Sequence, residues 1–263
     1  MNIASWNVNS LKVRRPQVLD WLADQPATLL GLQELKQLDE AIDRETIEAA
    51  GYRVLGNGQK TYNGVAWLYP SHWPEATDVV TDIPGFEDPQ RRVIAATFGD
   101  LRVINLYVVN GEAVGSEKYT YKLSWLEALT RWLAEEAGRY AKRVVVGDFN
   151  VAPTDADVHD PEAWKGRILC SVPERDALDR IFETGLTDAF RLFDQPEKAF
   201  SWWDYRQMNF RRNRGLRIDL ILISEALRDH ASACWIDVEP RRWERPSDHA
   251  PVVLELDHGA PSS

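Results

Sequence analysis

The sequence is poor in sulfur: only Cys170 and Cys234 among 263 residues are cysteine, with no CxxC spacing between them. That excludes a disulfide framework and a zinc knuckle, and it suits a reducing cytoplasm. No run of eighteen apolar residues occurs, so no membrane span is expected. The start, MNIASWNVNS, lacks the basic-then-apolar order of a secretory signal and reads as a strand beginning at Ile3. Gly/Ser linkers and low-complexity stretches are absent, so residues 1–257 read as one domain, with 258–263 as a disordered tail. Also missing are a GxSxG elbow, a GxxxxGK[ST] loop and a GxGxxG turn, which removes serine-hydrolase, P-loop and dinucleotide readings. Gly56-Asn57-Gly58-Gln59 reads only as a turn. Positive charge is short as well. The net charge is −10, which alone argues against a nucleic-acid partner.

What basic charge there is comes in groups. Between Tyr205 and Ile218 stand Arg206, Arg211, Arg212, Arg214 and Arg217 with no acid among them. Lys12, Arg14 and Arg15 form a second group, Arg91 and Arg92 a third, and Arg241, Arg242 and Arg245 a fourth. Any one group reads as solvated surface; together they flank the segments that carry candidate chemistry.

Aromatic and apolar residues are plentiful, with eleven tryptophans and 44% hydrophobic residues, enough for a large core. Short apolar runs predict strands at Ile3–Trp6, Thr28–Leu32, Gly64–Tyr69, Val93–Phe98, Leu101–Tyr107, Arg143–Val146, Ile218–Ile223, Cys234–Val238 and Val252–Leu256. Helical periodicity predicts helices over Arg15–Asp24, Leu38–Ala50 and Glu117–Tyr140, with further helical turns at Lys165 and Asp176–Glu183. In Glu117–Tyr140, Tyr121, Trp125, Leu129, Trp132 and Leu133 share one face and charged residues take the other. Strands follow one another across short turns, as at Gly99-Asp100. That favours antiparallel pairing in two sheets with helices on both outer faces.

Several of these strands end badly for buried strands. Ile3–Trp6 runs into Asn7, Thr28–Leu32 into Gln33-Glu34, Leu101–Leu106 into Tyr107, and VVVGDFN into Asp148 and Asn150. Asp219 stands at the start of its apolar run, and PSDHAP places Asp248 and His249 just before the last strand. Each alone has a structural reading as a turn cap or a satisfied core histidine. As a set, Glu34, Asp148, Asp219 and Asp248 would repel one another severely unless a cation joined them. Oxygen ligands with few other donors are what Mg²⁺ takes. Carboxylate, histidine, amide and tyrosine around such a cation suit phosphodiester hydrolysis, which needs an oriented water, a base and charge neutralisation.

SWNVNSLKVR, GLQELK, GDFNVAPTDAD, NRGLRIDLIL and PSDHAPV, in this order along nearly the whole chain, resemble the exonuclease III family. Its members are bacterial apurinic/apyrimidinic endonucleases of the endonuclease/exonuclease/phosphatase superfamily. SWWDYR with NRGLRID narrows the resemblance to the DNA-repair branch.

The resemblance implies an α/β fold, a four-layer αββα sandwich of two mixed sheets with the site at one rim. It implies Glu34 as principal Mg²⁺ ligand helped by Asn7, with Mn²⁺ able to substitute. Asp148 would deprotonate the attacking water and Asn150 would hold that water or the phosphate. His249, oriented by Asp219, would bind a phosphate oxygen, and Tyr107 would contact the phosphate or assist the leaving oxygen. Asp248 would complete a metal and hydrogen-bond network of Glu34, Asn7, Asp148, Asn150, Asp248 and His249. Trp202, Leu216 and Ile218 would wall a pocket for a flipped-out baseless sugar. Arg91, Arg92, Arg206, Arg211 and Arg212 would lie on the DNA, with Asn110 and Asn213 as further phosphate or sugar contacts. The implied activity is Mg²⁺-dependent incision of duplex DNA 5′ to abasic sites leaving a 3′-hydroxyl, with 3′→5′ exonuclease and 3′-phosphatase activity, by a monomer. The alternatives are 3′-end processing without abasic incision and hydrolysis of non-DNA phosphoesters. One departure stands out. In YVVNG, Val109 occupies a place where the family usually has proline.

Overall fold

The computed structural model describes residues 1–25 and 28–257. The expected tail at 258–263 lies outside the described residues.

The chain first lays down β1 (Asn2–Asn7), α1 (Leu11–Asp24), β2 (Thr28–Gln33), α2 (Arg44–Ala49), β3 (Tyr52–Asn57) and β4 (Val65–Pro70). It then builds β5 (Thr77–Val80), β6 (Val93–Phe98), β7 (Leu101–Tyr107), α3 (Glu117–Arg139) and β8 (Lys142–Asp148). There follow α4 (Pro161–Trp164), α5 (Val172–Phe182), β9 (Leu186–Asp188), β10 (Asp219–Ser224), α6 (Glu225–Arg228), β11 (Ala231–Ile236) and β12 (Val252–Leu256). One mixed six-stranded sheet has the order β11-β12-β1-β2-β4-β3 and the other β5-β6-β7-β8-β10-β9. Each sheet holds one parallel pair, β1 with β2 and β7 with β8, and α1 and α3 are the crossovers that parallel pairing demands.

Three apolar layers make this a four-layer αββα sandwich. Ile3, Leu29, Val65 and Trp67 of the first sheet pack against Ile94, Val103, Val144 and Ile221 of the second. Outside the first sheet, Leu11, Val18, Trp21 and Leu22 of α1 cover Ala4, Trp6 and Leu30. Outside the second, Trp125, Leu129 and Leu133 of α3 and Leu178 and Ile181 of α5 cover Ile104, Val145 and Leu220. Strands buried on both faces read as continuous apolar runs, which is why so many are legible. No helix among the described residues is long and apolar enough to cross a membrane.

The inter-sheet layer is not wholly apolar. The Gln33 Nε2 donates to Asn105 Oδ1 at 2.7 Å, and Asn105 Nδ2 donates to the carbonyls of Leu32 at 3.0 Å and Ala66 at 2.8 Å. These bonds cross between the sheets and set them against each other at the level of the strand ends that form the site.

Some expectations are corrected. Leu38–Ala50 is not one helix. A 3₁₀ turn over Asp39–Ala41 stops at an extended Ile42, and Asp43 then caps α2 by accepting Thr46 N at 3.1 Å. β3, β5 and β9 are additions to the expected strands, and β3 absorbs Gly56 and Asn57 in place of the expected turn. β11 begins three residues earlier than Cys234–Val238 and carries a bulge near its start. Not every charged residue of α3 is solvated: Lys122 and Glu136 lie buried on its apolar stripe. Nor is Arg217 part of an exposed basic tract. It is 1% exposed, pairs with Asp157 and Asp188 at 2.6 and 2.7 Å, and stacks on Phe190.

Candidate active site

The polar strand ends do meet. Tyr107 is the register partner of Asp148 across β7 and β8, and Asp148 is the partner of Asp219 across β8 and β10. On the facing sheet Asn7 pairs with Gln33 across β1 and β2, which delivers Glu34 one residue later. Gly147 is required before Asp148, because a Cβ there would stand 2.1 Å from the Leu106 carbonyl oxygen. Glu34, Asn150 and Leu169 take positive φ values of 55°, 50° and 71°, which non-glycine residues rarely adopt and which cluster where function overrides backbone comfort.

Glu34 Oε1 accepts from Tyr107 Oη at 2.9 Å and from Asn7 Nδ2 at 2.9 Å, while Oε2 pairs with Lys36 Nζ at 2.8 Å. Asp148 Oδ2 accepts from the same Asn7 amide at 3.0 Å and lies 3.7 Å from His249 Nε2. Asp148 Oδ1 accepts the Asn150 backbone N–H at 3.0 Å. His249 Nδ1 bonds Asp219 Oδ2 at 2.8 Å, and that oxygen also accepts the Ser201 hydroxyl at 2.7 Å. With Nδ1 committed to Asp219, Nε2 is the nitrogen left to face Asp148 and a ligand.

The charges are densely packed. Burial raises the Asp148 carboxyl above its usual range; Asp219 and Glu34 push the same way, against His249 and the Asn7 hydrogen bond. For His249, burial favours the neutral ring, but Asp219 and Asp148 outweigh it and raise the imidazole above its ordinary value. The Tyr107 phenol is raised well above its ordinary value by burial and by Glu34, so it is a proton donor at neutral pH.

Ligand atoms of Glu34, Asp148 and His249 lie within 4.8 Å of one another. The donor set fits a divalent cation: two carboxylates face each other across one amide, and the carboxylates of Glu34, Asp148 and Asp219 outnumber Lys36 and His249. Asn7 lies between the two carboxylates, and Asn150 and Asp248 line the same cavity, each with hydrogen bonds of its own. Asn7 meets both carboxylates through its NH₂, its oxygen accepting Asn9 N at 3.0 Å. The Asn150 amide is engaged by Asn110 and the Val108 carbonyl at 3.0 Å each. Asp248 accepts from Asn9 and from Trp202 Nε1, also at 3.0 Å each. It therefore orients Trp202.

The cavity over these groups is about 370 Å³, polar at its floor and walled by Trp164, Ile168, Leu169, Trp202 and Ile218, with Asn110, Asp204 and Arg206 on its rim. Leu216 is fully buried behind that wall and is not part of it. Arg206 is 84% exposed and forks onto Asp204 at 2.6 Å. Arg211, Arg212 and Asn213 are exposed on the same loop. Arg211 and Asn213 border a separate groove with Phe210 and Arg242, and Asn213 holds Trp203 Nε1 at 3.1 Å. Arg91 is half-exposed against Asp82 at 3.2 Å. Arg92 is buried, so its expected place on DNA is corrected. It stacks on the Tyr107 ring, with its carbon 4.9 Å from the centroid, and donates to the Tyr107 carbonyl at 3.2 Å. Val109 is buried against α3, so packing holds the loop in the absence of the proline.

Sequence reasoning overlooks Lys36, Trp164, Ile168, Leu169 and Asp204. Lys36 lies inside GLQELK, and its spacing two residues from Glu34 is the available signal. Asp204 lies inside SWWDYR, two residues from Trp202; Trp164 at the end of α4 and Ile168 and Leu169 in the loop after it reach the site in a way that only the fold reveals.

A family model described as "Endonuclease/Exonuclease/phosphatase family" matches residues 4–249. The chain is 36% identical over 269 residues to exodeoxyribonuclease III of Haemophilus influenzae, covering 97% of this chain and 100% of that one. Among solved structures it is similar to a 3′ phosphatase, NExo, from Neisseria bound to a product DNA hairpin. The TM-score is 0.94, with 46% identity, covering 98% of this chain and 100% of the other. It is also similar to an AP endonuclease from Archaeoglobus fulgidus, with a TM-score of 0.91, 35% identity, and coverage of 98% and 100%.

Proposed function

The chain belongs to the Endonuclease/Exonuclease/phosphatase family, and from that premise we propose that it is a DNA-repair hydrolase that breaks the P–O3′ bond of DNA with a divalent cation. Its substrates are duplexes carrying abasic sites, which it incises on the 5′ side to leave a 3′-hydroxyl, and blocked or recessed 3′ ends, which it trims as a 3′-phosphatase and 3′→5′ exonuclease. These reactions share one leaving atom, O3′, and differ in the group on the far side of the phosphate. It acts as a monomer in the cytoplasm, with residues 1–257 as one catalytic unit. The observation that carries the reading is Asp148, fixed on both oxygens by Asn7 and Asn150 and placed 3.7 Å from an imidazole that Asp219 orients.

Asp148 takes the proton from the attacking water, whose oxygen bonds to phosphorus as the P–O3′ bond breaks; O3′ leaves and takes up a proton, so one water is consumed. Positive His249 donates Nε2–H to a non-bridging phosphate oxygen, held in place by Asp219 and Ser201. Tyr107, protonated and stacked under Arg92, would turn its O–H from Glu34 Oε1 to the phosphate. Glu34 with Asp148 would hold Mg²⁺, or Mn²⁺ in its place, and the bound cation supplies charge neutralisation on the phosphate. Trp202 and Ile218, with Trp164 across the cavity, offer apolar walls to a sugar without its base; extruding such a nucleotide costs little stacking. The exposed Arg206, Arg211 and Arg212 supply phosphate contacts that an otherwise acidic protein needs, and binding is accordingly expected to weaken steeply with salt.

A second reading, 3′-end processing without abasic incision, is favoured by identity: 46% to the Neisseria 3′ phosphatase against 35% to the Archaeoglobus AP endonuclease. The two separate on three labelled DNAs: a duplex with one tetrahydrofuran abasic analogue, an intact duplex and a recessed 3′-phosphate end, each with Mg²⁺ and with EDTA. Metal-dependent incision 5′ to the analogue together with 3′-phosphate release is the expected result. Silence at the analogue with release at the 3′ end selects the second reading. Silence on all three rejects both in favour of a non-DNA phosphoester.

A further inference from the structure

Lys122 is a cation on the buried side of α3, fully closed to solvent. All three of its ammonium hydrogens are committed: to the Asn110 carbonyl at 3.1 Å, to the Asn150 carbonyl at 2.7 Å and to the Glu174 carboxylate. Its stem runs beneath Gly111, whose φ is +93° and on which a Cβ would meet Lys122 Cδ at 3.0 Å and Ile168 Cδ1 at 2.8 Å. A glycine is what lets this loop rest on the lysine.

Glu174 in turn holds a third loop. It accepts Leu169 N and Ser171 N at 3.0 Å each and the Ser171 hydroxyl at 2.6 Å, as the partner residue of the capping box that starts α5. The pair thus ties together the loop after β7, the loop after β8 and the loop before α5. These supply Asn110, Asn150, Ile168 and Leu169 to the catalytic cavity. Asn150 is the sensitive point. It sits at a positive φ of 50°, its carbonyl is pinned by Lys122, and its N–H is one of the two groups that set the plane of Asp148.

Burying a lysine and a glutamate together is a poor way to gain stability, since two apolar side chains of like volume do as well. What an ammonium adds is direction: it can grip two carbonyls at fixed angles, which a methyl group cannot. We propose that the buried Lys122–Glu174 pair is a positioning device for the reaction, fixing the Asn150 backbone and through it the orientation of the Asp148 carboxylate. The proposal rests on the assignment of Asp148 to the hydrolysis described above. Lys122 and Glu174 touch neither DNA nor cation, so they act through the two asparagine loops.

The test compares Lys122→Met with the double variant Lys122→Met/Glu174→Gln, by urea unfolding and by steady-state kinetics on the recessed 3′-phosphate and tetrahydrofuran duplexes. Lys122→Met leaves Glu174 charged and alone, and is expected to lose both stability and turnover. The double variant holds no unpaired buried charge, and the amide oxygen introduced at position 174 keeps the capping box with Ser171, while the acceptor for Leu169 N–H is given up with Lys122. Its unfolding midpoint is expected to return most of the way, while kcat stays about 10–100-fold below the unsubstituted protein with KM little changed. Recovery of kcat along with stability would overturn the proposal and leave the pair a purely structural element. Lys122→Arg provides a second route should the double variant fail to fold. It retains charge and partner but moves the donors, and an unchanged kcat there would equally overturn the proposal. An unsubstituted protein silent on both duplexes would instead reject the functional reading itself, a result distinct from either.

Discussion

Asp148→Asn is expected to lower turnover by about 10²–10⁴-fold, the range a positioned base contributes, while duplex binding stays within a few fold. The substitution preserves volume in a residue that is 1% exposed, and Oδ1 can still accept the Asn150 N–H. What disappears is the acceptor for the water proton, and with it the acceptor for the Asn7 amide and one carboxylate of the cation site. Because the proposed DNA contacts come from the 206–213 loop and the cavity walls, a binding loss in step with the rate loss would show that Asp148 has another role. Single-turnover cleavage and gel-shift titration on the same duplex make the comparison.

The second large effect concerns the cation. Glu34→Ala removes the carboxylate that receives Tyr107, Asn7 and Lys36 together. Turnover is expected to need about tenfold more Mg²⁺ or beyond, since even partners of metal ligands change affinity by 10–100-fold. EDTA is expected to abolish turnover in the unsubstituted protein. A Mg²⁺ titration that the substitution leaves unchanged would remove Glu34 from the ligand set. Freed of Glu34, Lys36 would lie beside the cation position, so an added Lys36→Ala should recover part of the metal affinity.

How much of this is written in the sequence depends on what each residue needs from its surroundings. Val93–Phe98, Leu101–Tyr107 and Val252–Leu256 are readable to the residue, because strands covered mostly on both faces need largely apolar runs, broken here only by Thr97, Arg102, Asn105 and Glu255. β5 lies at a sheet edge with three of its four residues exposed, so nothing in its composition announces it. The juxtaposition of Asn7, Glu34, Tyr107, Asp148, Asp219 and His249 can be suspected from polar residues at the ends of apolar runs. Register is what brings Tyr107, Asp148 and Asp219 to one level.

Charge is the least legible property. Arg206 and Arg217 look alike in one basic tract, yet one is open to solvent and the other is locked between Asp157 and Asp188. Arg92 reads as a DNA contact and proves to be the support beneath Tyr107. Lys122 reads with the other charged residues of α3, yet it stands one turn before Leu126 and two before Leu129 on the buried stripe, where a cation needs a partner that only the fold reveals. α5 brings that partner, Glu174.

At the centre of the proposed reaction, water attacks phosphorus and O3′ departs. Cleavage of the tetrahydrofuran duplex and the 3′-phosphate end in ¹⁸O-labelled water, with mass analysis of both products, tests this most directly. The expected result is label in the phosphate, freed from the 3′-phosphate end and kept as the 5′-phosphate of the abasic fragment, an unlabelled 3′-hydroxyl that a polymerase can extend, and loss of both products in Asp148→Asn. Label in the 3′-hydroxyl, or 3′ ends that no polymerase extends, would contradict it.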